Sequence, residues 1–366
     1  MAHYHFRSLI TALGLLTLSG CAQYHSEEEV KTYNGDLTGQ VYARFLGTST
    51  LYFGIGKEGY DDGVMIDGFV SRPGFFRMAF LPEGMKTDPD KVKSELAKAG
   101  LTFGDIDSLF VSHSHYDHAL DAPAYKDATV YGSCSTAQTI CSVLGDTEPT
   151  CEDDNKVIKN CLSSDNKFDE LWPDFERLTF SDEPIETAGF KVWAVPGEHG
   201  TKPWALQGLQ QLFDRMATYG KYYADHGPVY SFYLERGDIR ILVVPSAGYP
   251  DQYPDFVKPN IVFLGIGVLS AWIEKRPQNP APYDSASYAE ILWRKNVEEL
   301  GASVVIPIHW DSFNYALSDE LRLTDERGDK VKATLEFMKK QASESKNDVK
   351  LLLPPIRKPF LLNDLH

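Results

Sequence analysis

The chain is short of positive charge. Lys and Arg number 36 against 52 Asp and Glu, a formal net charge of −16. Nucleic-acid affinity comes largely from cationic contacts to phosphate, so this balance argues against a nucleic-acid partner and describes an acidic, water-facing surface. Cysteine is scarce too. There are five in 366 residues and none forms a C-x-x-C pair, which rules out a zinc cluster built on that spacing. The N-terminal apolar stretch Leu9–Leu18 is too short to span a bilayer. Apolar side chains themselves are not lacking. At 43% hydrophobic residues the chain can bury a large core, in one big domain or two smaller ones.

The first residues read as an address. His3, His5 and Arg7 make a weakly basic start, the apolar stretch follows, and Leu18-Ser19-Gly20-Cys21 resembles the bacterial lipoprotein signal. That resemblance implies cleavage before Cys21 and lipidation of its thiol; the alternative is an ordinary secretory peptide cut nearby. No Asp follows Cys21 directly, which by the same resemblance favours an outer membrane, facing the periplasm, in a Gram-negative cell. Residues 1–20 are then a signal peptide, 21–37 a polar flexible tether and 38–366 the folded domain.

In an exported chain the remaining cysteines, Cys134, Cys141, Cys151 and Cys161, point to disulfides. A helix is expected over Ser135–Leu144, and seven residues along it rise about 10.5 Å. A disulfide needs Cα atoms within about 7 Å. Cys134 and Cys141 therefore each look to Cys151 or Cys161, with Cys141–Cys151 nested inside Cys134–Cys161 preferred and free buried thiols the alternative.

Alternating apolar residues predict strands at Gln40–Leu46, Leu51–Ile55 and Gly63–Asp67, an antiparallel meander. Further strands are expected at Asp107–Val111, Thr129–Gly132, Phe190–Val195, Val229–Glu235, Arg240–Val244, Asn260–Leu264, Val304–Ile308 and Leu351–Leu353. Helices are expected at Asp88–Ala99, 203–220, Ser285–Leu300 and 328–346. Residues 71–85 form an aromatic loop, and 145–175 an acidic, cysteine-bearing insert.

The chemistry concentrates after the strand Asp107–Val111, in Ser112-His113-Ser114-His115-Tyr116-Asp117-His118. Residues two apart on an extended segment point the same way, so His113 and His115 share one target. Asp117 and His118 follow a turn and can face a second point. Neutral imidazole is the commonest metal ligand, and a neighbouring carboxylate suits zinc or another divalent ion. Two more histidines end strand segments, in Val195-Pro196-Gly197-Glu198-His199 and Ile306-Pro307-Ile308-His309-Trp310.

Together, H-x-H-x-D-H after a strand, His199 and His309 resemble the metallo-β-lactamase fold hydrolases over roughly residues 38–355. The two strand-plus-His segments look like the branch holding ascorbate-phosphate lactonases and N-acyl-phosphatidylethanolamine phospholipase D. The resemblance implies a four-layer αββα sandwich and two zinc ions, one on His113, His115 and His199, the other on Asp117, His118 and His309. It also implies a bridging Asp in a strand-end turn, where this chain has Pro245-Ser246-Ala247-Gly248. Ser246 stands in the Asp position, and a neutral hydroxyl does not replace an anionic bridge. Binding of one ion, at the three imidazoles, therefore stays open beside binding of two.

The activity implied is hydrolysis of an ester, lactone, amide or phosphodiester by water activated on the metal, with Asp117 orienting or deprotonating it. His226 either serves substrate or a leaving group, or is a structural loop residue; Trp310, Asp311 and Tyr249 adjoin ligand positions and either support the ligands or line the pocket, or simply pack, which is preferred for each. The partners implied are a small-molecule or lipid-like substrate and a membrane, through Cys21. A lipid- or phosphodiester-directed hydrolase and a non-catalytic binding lipoprotein are the alternatives. Oligomeric state is not read from the sequence.

Overall fold

The computed structural model describes residues 29–59, 61–73, 87–144, 174–200, 227–273, 286–313, 315–317 and 329–365. The first half lays down β1 (Val41–Phe45), β2 (Leu51–Gly56), β3 (Asp61–Ile66), β4 (Ser108–Phe110), β5 (Thr129–Gly132) and β6 (Asp174–Arg177). The second half gives β7 (Ile185–Thr187), β8 (Phe190–Gly197), β9 (Val229–Arg236), β10 (Ile239–Val244), β11 (Ile261–Gly265), β12 (Val304–Ile308) and β13 (Lys350–Leu351). The chain then returns with β14 (Phe360–Leu361) to the first sheet.

The sheet orders are β14-β1-β2-β3-β4-β5-β6 and β13-β12-β11-β10-β9-β8-β7. In each, four strands pair antiparallel and the rest continue parallel from the fourth. The expected meander is β1-β2-β3. Period-two alternation assigns the faces. Ala43, Phe45, Leu51, Phe53, Val64, Ile66 and Phe110 join the core shared with the second sheet. Tyr42, Tyr52, Met65, Leu109 and Val130 point the other way, onto a cluster holding Val92 and Leu96 of the helix Pro89–Lys98 and Ile140 of the helix Cys134–Leu144. The second sheet is covered by the helices Tyr288–Trp293 and Val331–Glu344, which bury Leu292, Trp293, Leu335 and Met338. This is the four-layer αββα sandwich. Aromatic rings lock the two sheets face to face, with Phe53 edge-on to Phe263 at 5.4 Å and Phe110 edge-on to Phe232 at 5.6 Å.

The helix expected at Asp88–Ala99 is present as Pro89–Lys98. Asp88 caps the helix Pro89–Lys98 by accepting the Lys91 N–H at 3.0 Å, and Gly100 takes a positive φ just past its end. Other expectations are corrected. The helix expected from Ser285 starts at Tyr288, because Ser287 and Glu290 form a capping box. Its last turn widens into a π-helix over Arg294–Glu298. There Asn296 turns its amide onto the carbonyls of Leu292 and Gly248 and accepts the Tyr253 hydroxyl. The insert expected to end at 175 gives way to β6, whose four residues complete the sheet beside β5. The end of the expected tether, from residue 29, lies against the fold, with Val30 buried and its N–H bonded to the Leu353 carbonyl.

Cys134 is disulfide-bonded. The side chain of Cys141 and the whole of Cys21, Cys151 and Cys161 lie outside the described residues, as do the expected helix 203–220, most of the 71–85 loop and His226.

Phe110 is fully buried, stacked on Tyr131 at 4.6 Å and edge-on to Phe232, so it joins the sheets at the level of the histidine loop. Phe110→Ala is expected to cost about 3–5 kcal/mol in urea unfolding. A loss under about 1 kcal/mol would mean that the sheets do not meet there as described.

Candidate metal centre

Every metal-ligand candidate named by the sequence follows the carboxyl end of a strand. β4 delivers His113 and His115, and a one-turn helix, Tyr116–Ala119, turns Asp117 and His118 back toward them. His199 and Ser246 follow two residues after the ends of β8 and β10, and His309 directly after β12. Neighbouring strands in one sheet bring some of these loops together. Contacts between the sheets bring the rest: the Tyr230 N–H donates to the Ser112 carbonyl at 2.9 Å and the His309 N–H to the Thr48 carbonyl at 2.6 Å.

Two groups result, His113, His115 and His199, and Asp117, His118 and His309. Within each group the three side chains offer ligand atoms that all lie within 4.8 Å of one another. In the first, Nε2 of His113 lies 3.0 Å from Nδ1 of His115, and the His199 ring centre is 4.6 Å from that of His115. In the second, Asp117 Oδ2 lies 3.2 Å from Nε2 of His309 and 3.5 Å from Nε2 of His118. The groups adjoin, since the rings of His113 and His118 are 4.0 Å apart.

The far nitrogens are engaged from behind, the pattern that fixes tautomer and ring orientation in metal-ligating histidine. His118 Nδ1 lies 2.7 Å from Asp67 Oδ2, His113 Nδ1 lies 3.0 Å from Ser112 Oγ, and His199 Nδ1 lies 2.8 Å from the Gly200 carbonyl. Asp67 is fully buried and also accepts from the Ser49 hydroxyl and, at 2.8 Å, the Ser112 N–H. Sequence reasoning missed it as a site residue. The available signal was a carboxylate ending the apolar run Val64-Met65-Ile66, where a buried charge needs a cationic or hydrogen-bonding partner.

The carboxylates and imidazoles of the second group shift one another. Burial opposes ionisation of Asp117, yet the imidazoles of His118, His309 and His115 hold its carboxyl well below the usual range. Burial pushes His118 down, and the carboxylates of Asp67 and Asp117 more than offset it, so its net shift is upward. Three imidazoles, and two imidazoles with a carboxylate, are donor sets suited to divalent ions such as zinc. The residues present thus fit two ions.

The remaining expectations divide. Ser246 reaches the centre from its turn, but its hydroxyl lies 3.3 Å from Nδ1 of His113, the nitrogen turned away from His115. Trp310 packs, stacking on Phe45 and donating its indole N–H to the Pro307 carbonyl, and Tyr249 packs on Tyr288. Asp311 does not pack on apolar groups; it is buried in an ion pair with Arg72 at 2.6 Å.

A family model described as the metallo-beta-lactamase superfamily matches residues 61–204, the span from β3 to just past His199. The fold is that of the metallo-β-lactamases. No curated protein matches by sequence. Among solved structures, the chain is similar to the metallo-beta-lactamase fold protein YhfI from Bacillus subtilis, at 12% identity over 88% of this chain and 97% of that one, with a TM-score of 0.41. It is similar to isothiocyanate hydrolase from Delia radicum gut bacteria at 15% identity over 87% and 98%, with a TM-score of 0.40. It is also similar to CmlA, a diiron beta-hydroxylase from Streptomyces venezuelae, at 13% identity over 88% and 53%, with a TM-score of 0.44.

Behind the centre, Asp121 accepts the N–H groups of Val70 at 2.8 Å and Ser71 at 2.7 Å and so fixes the segment that follows Asp67. Burial raises its carboxyl to about 6, against the pull of those bonds. An unfolded carboxyl titrates near 4. Between about 4 and 6 the folded chain therefore binds the extra proton, and the contribution of Asp121 to stability falls as pH rises through that window. Asp121→Asn, a neutral acceptor of the same shape, is expected to remove that fall. Parallel stability curves for the two proteins from pH 4 to 7 would contradict the assignment.

Proposed function

We propose that this protein is a zinc-dependent hydrolase, acting on an ester, lactone, amide or phosphodiester bond outside the cytoplasm. The observation that carries the proposal is the pair of adjoining triads, built from strand ends of both sheets and buttressed from behind. His113, His115 and His199 would hold one ion and Asp117, His118 and His309 the other. Zinc so held would lower the pKa of a bound water toward neutrality and polarise the oxygen that gains charge. Asp117, 3.2 Å from His309 Nε2 and 3.5 Å from His118 Nε2, is placed to orient the attacking water or shuttle its proton.

In the same proposal Cys21 carries a lipid anchor after removal of residues 1–20, which keeps the enzyme at a membrane, the outer one if the cell is Gram-negative. The anchor makes lipid-like or phosphodiester substrates attractive. The two strand-plus-His segments favour the branch of ascorbate-phosphate lactonases and N-acyl-phosphatidylethanolamine phospholipase D. A binding lipoprotein without turnover is the second reading, favoured by the neutral Ser246 in place of an anionic bridge.

The test is metal analysis of purified protein together with a panel of ester, lactone, amide and phosphodiester substrates. Bound zinc and turnover of at least one bond type are expected, with His113→Ala lowering turnover by at least about 10²-fold. Turnover that survives His113→Ala would exclude the mechanism, and metal without turnover of any bond type would favour the binding reading.

A further inference from the structure

Three residues at the second triad hold backbone conformations that side chains rarely adopt: Thr48 at φ 54°, Arg72 at φ 45° and His309 at φ 58°. Such residues persist only where their surroundings over-determine them. One network joins all three. The His309 N–H donates to the Thr48 carbonyl at 2.6 Å, and the Thr48 N–H donates to Asp311 Oδ1 at 2.7 Å, across 263 positions of sequence. Arg72 closes the ring: Nη2 lies 2.6 Å from Asp311 Oδ2 and donates to Thr48 Oγ1 at 3.1 Å, while Nη1 reaches the Ser312 carbonyl at 3.4 Å. The guanidinium and carboxylate are almost completely buried, at 2% and 1% exposure.

We infer that Arg72, paired with Asp311, is the positioning residue for His309 and so sets the metal affinity of the second triad. This rests on the reading of Asp117, His118 and His309 as metal ligands.

Stability alone is a poor reason for such a pair, because apolar replacements of a buried ion pair often fold as well. Direction is what the pair supplies. A planar fork reaches the carboxylate, the Thr48 hydroxyl and the Ser312 carbonyl at once, whereas a lysine ammonium is a single point on a flexible stem. The room for it is provided by Gly47, at φ 88°. A Cβ there would collide with Arg72 Nη2 and stand 2.9 Å from Asp311 Oδ2. The network therefore holds the β1–β2 turn of one sheet against the loop after β12 of the other, and His309 leaves that loop toward Asp117.

Zinc binding to the full chain tests this, by competition with a chelator, in wild type, Arg72→Met, Arg72→Lys, His309→Ala and the double variant Arg72→Met/His309→Ala. Arg72→Met is expected to keep one ion and to weaken the other by about 10–100-fold, with Arg72→Lys falling between it and wild type. On the His309→Ala background the Arg72 substitution is expected to add nothing, since its effect passes through His309. Two ions held at wild-type affinity, or an equal further loss in the double variant, would overturn the inference; loss of both ions would make Arg72 merely structural. Should Arg72→Met not fold, the comparison runs on Arg72→Lys alone and with His309→Ala, judged the same way. If wild type binds no zinc, the reading of the triads fails. The affinity half of the inference then falls with it, and the positioning half is decided by the crystal structure of the folded Arg72 variant, where displacement of His309 from Asp117 supports it and retention of the 3.2 Å contact overturns it.

Discussion

The site depends on holding two sheets in register at one end of a sandwich. No hydrogen-bonded ladder joins the two sheets among the described residues, so their alignment is left to face-to-face packing and to a few bonds at the rim. Packing is broad but weakly directional. Two backbone hydrogen bonds beside the histidine loops, from the Tyr230 N–H to the Ser112 carbonyl and from the His309 N–H to the Thr48 carbonyl, supply the direction. Each lies within one residue of a strand end or a ligand. Loosening either would let one half of the centre slide against the other with little loss of buried area.

Charge follows the same division. Asp67 and Asp117 bracket His118 from its two sides, and Asp311 and Arg72 neutralise each other beside His309. The centre thus keeps negative charge facing the place where a cation would sit, and removes it where none is wanted. Strained backbone gathers in the same region, at Thr48, Asp67, Ala247 and His309. That clustering is expected where a scaffold must aim side chains rather than simply bury them.

The sequence was most legible where the chemistry is local. His113, His115, Asp117 and His118 lie within six residues after an apolar strand; spacing allowed two targets and the family resemblance assigned the residues to them, and the structure has the same two groups. His199 and His309 were legible through the apolar runs that deliver them. Asp67 was not, because one carboxylate at a strand end looks like an ordinary turn residue. Asp311 was noted beside His309, but its pairing with Arg72 was beyond reach, since it depends on two distant loops meeting. Among the elements, the long alternating strands were clear, while β7 and β14 are two or three residues long and carry too little pattern to read. Ser246 was placed correctly at the centre, but only the structure shows its hydroxyl behind His113.

The central claim is that one centre contains two distinct metal positions, each with its own three ligands. Anomalous diffraction at the zinc edge, from crystals of the zinc-loaded protein, tests it most directly. Two peaks are predicted, one among His113, His115 and His199 and one among Asp117, His118 and His309. A single peak shared between the triads, or none, would contradict the account.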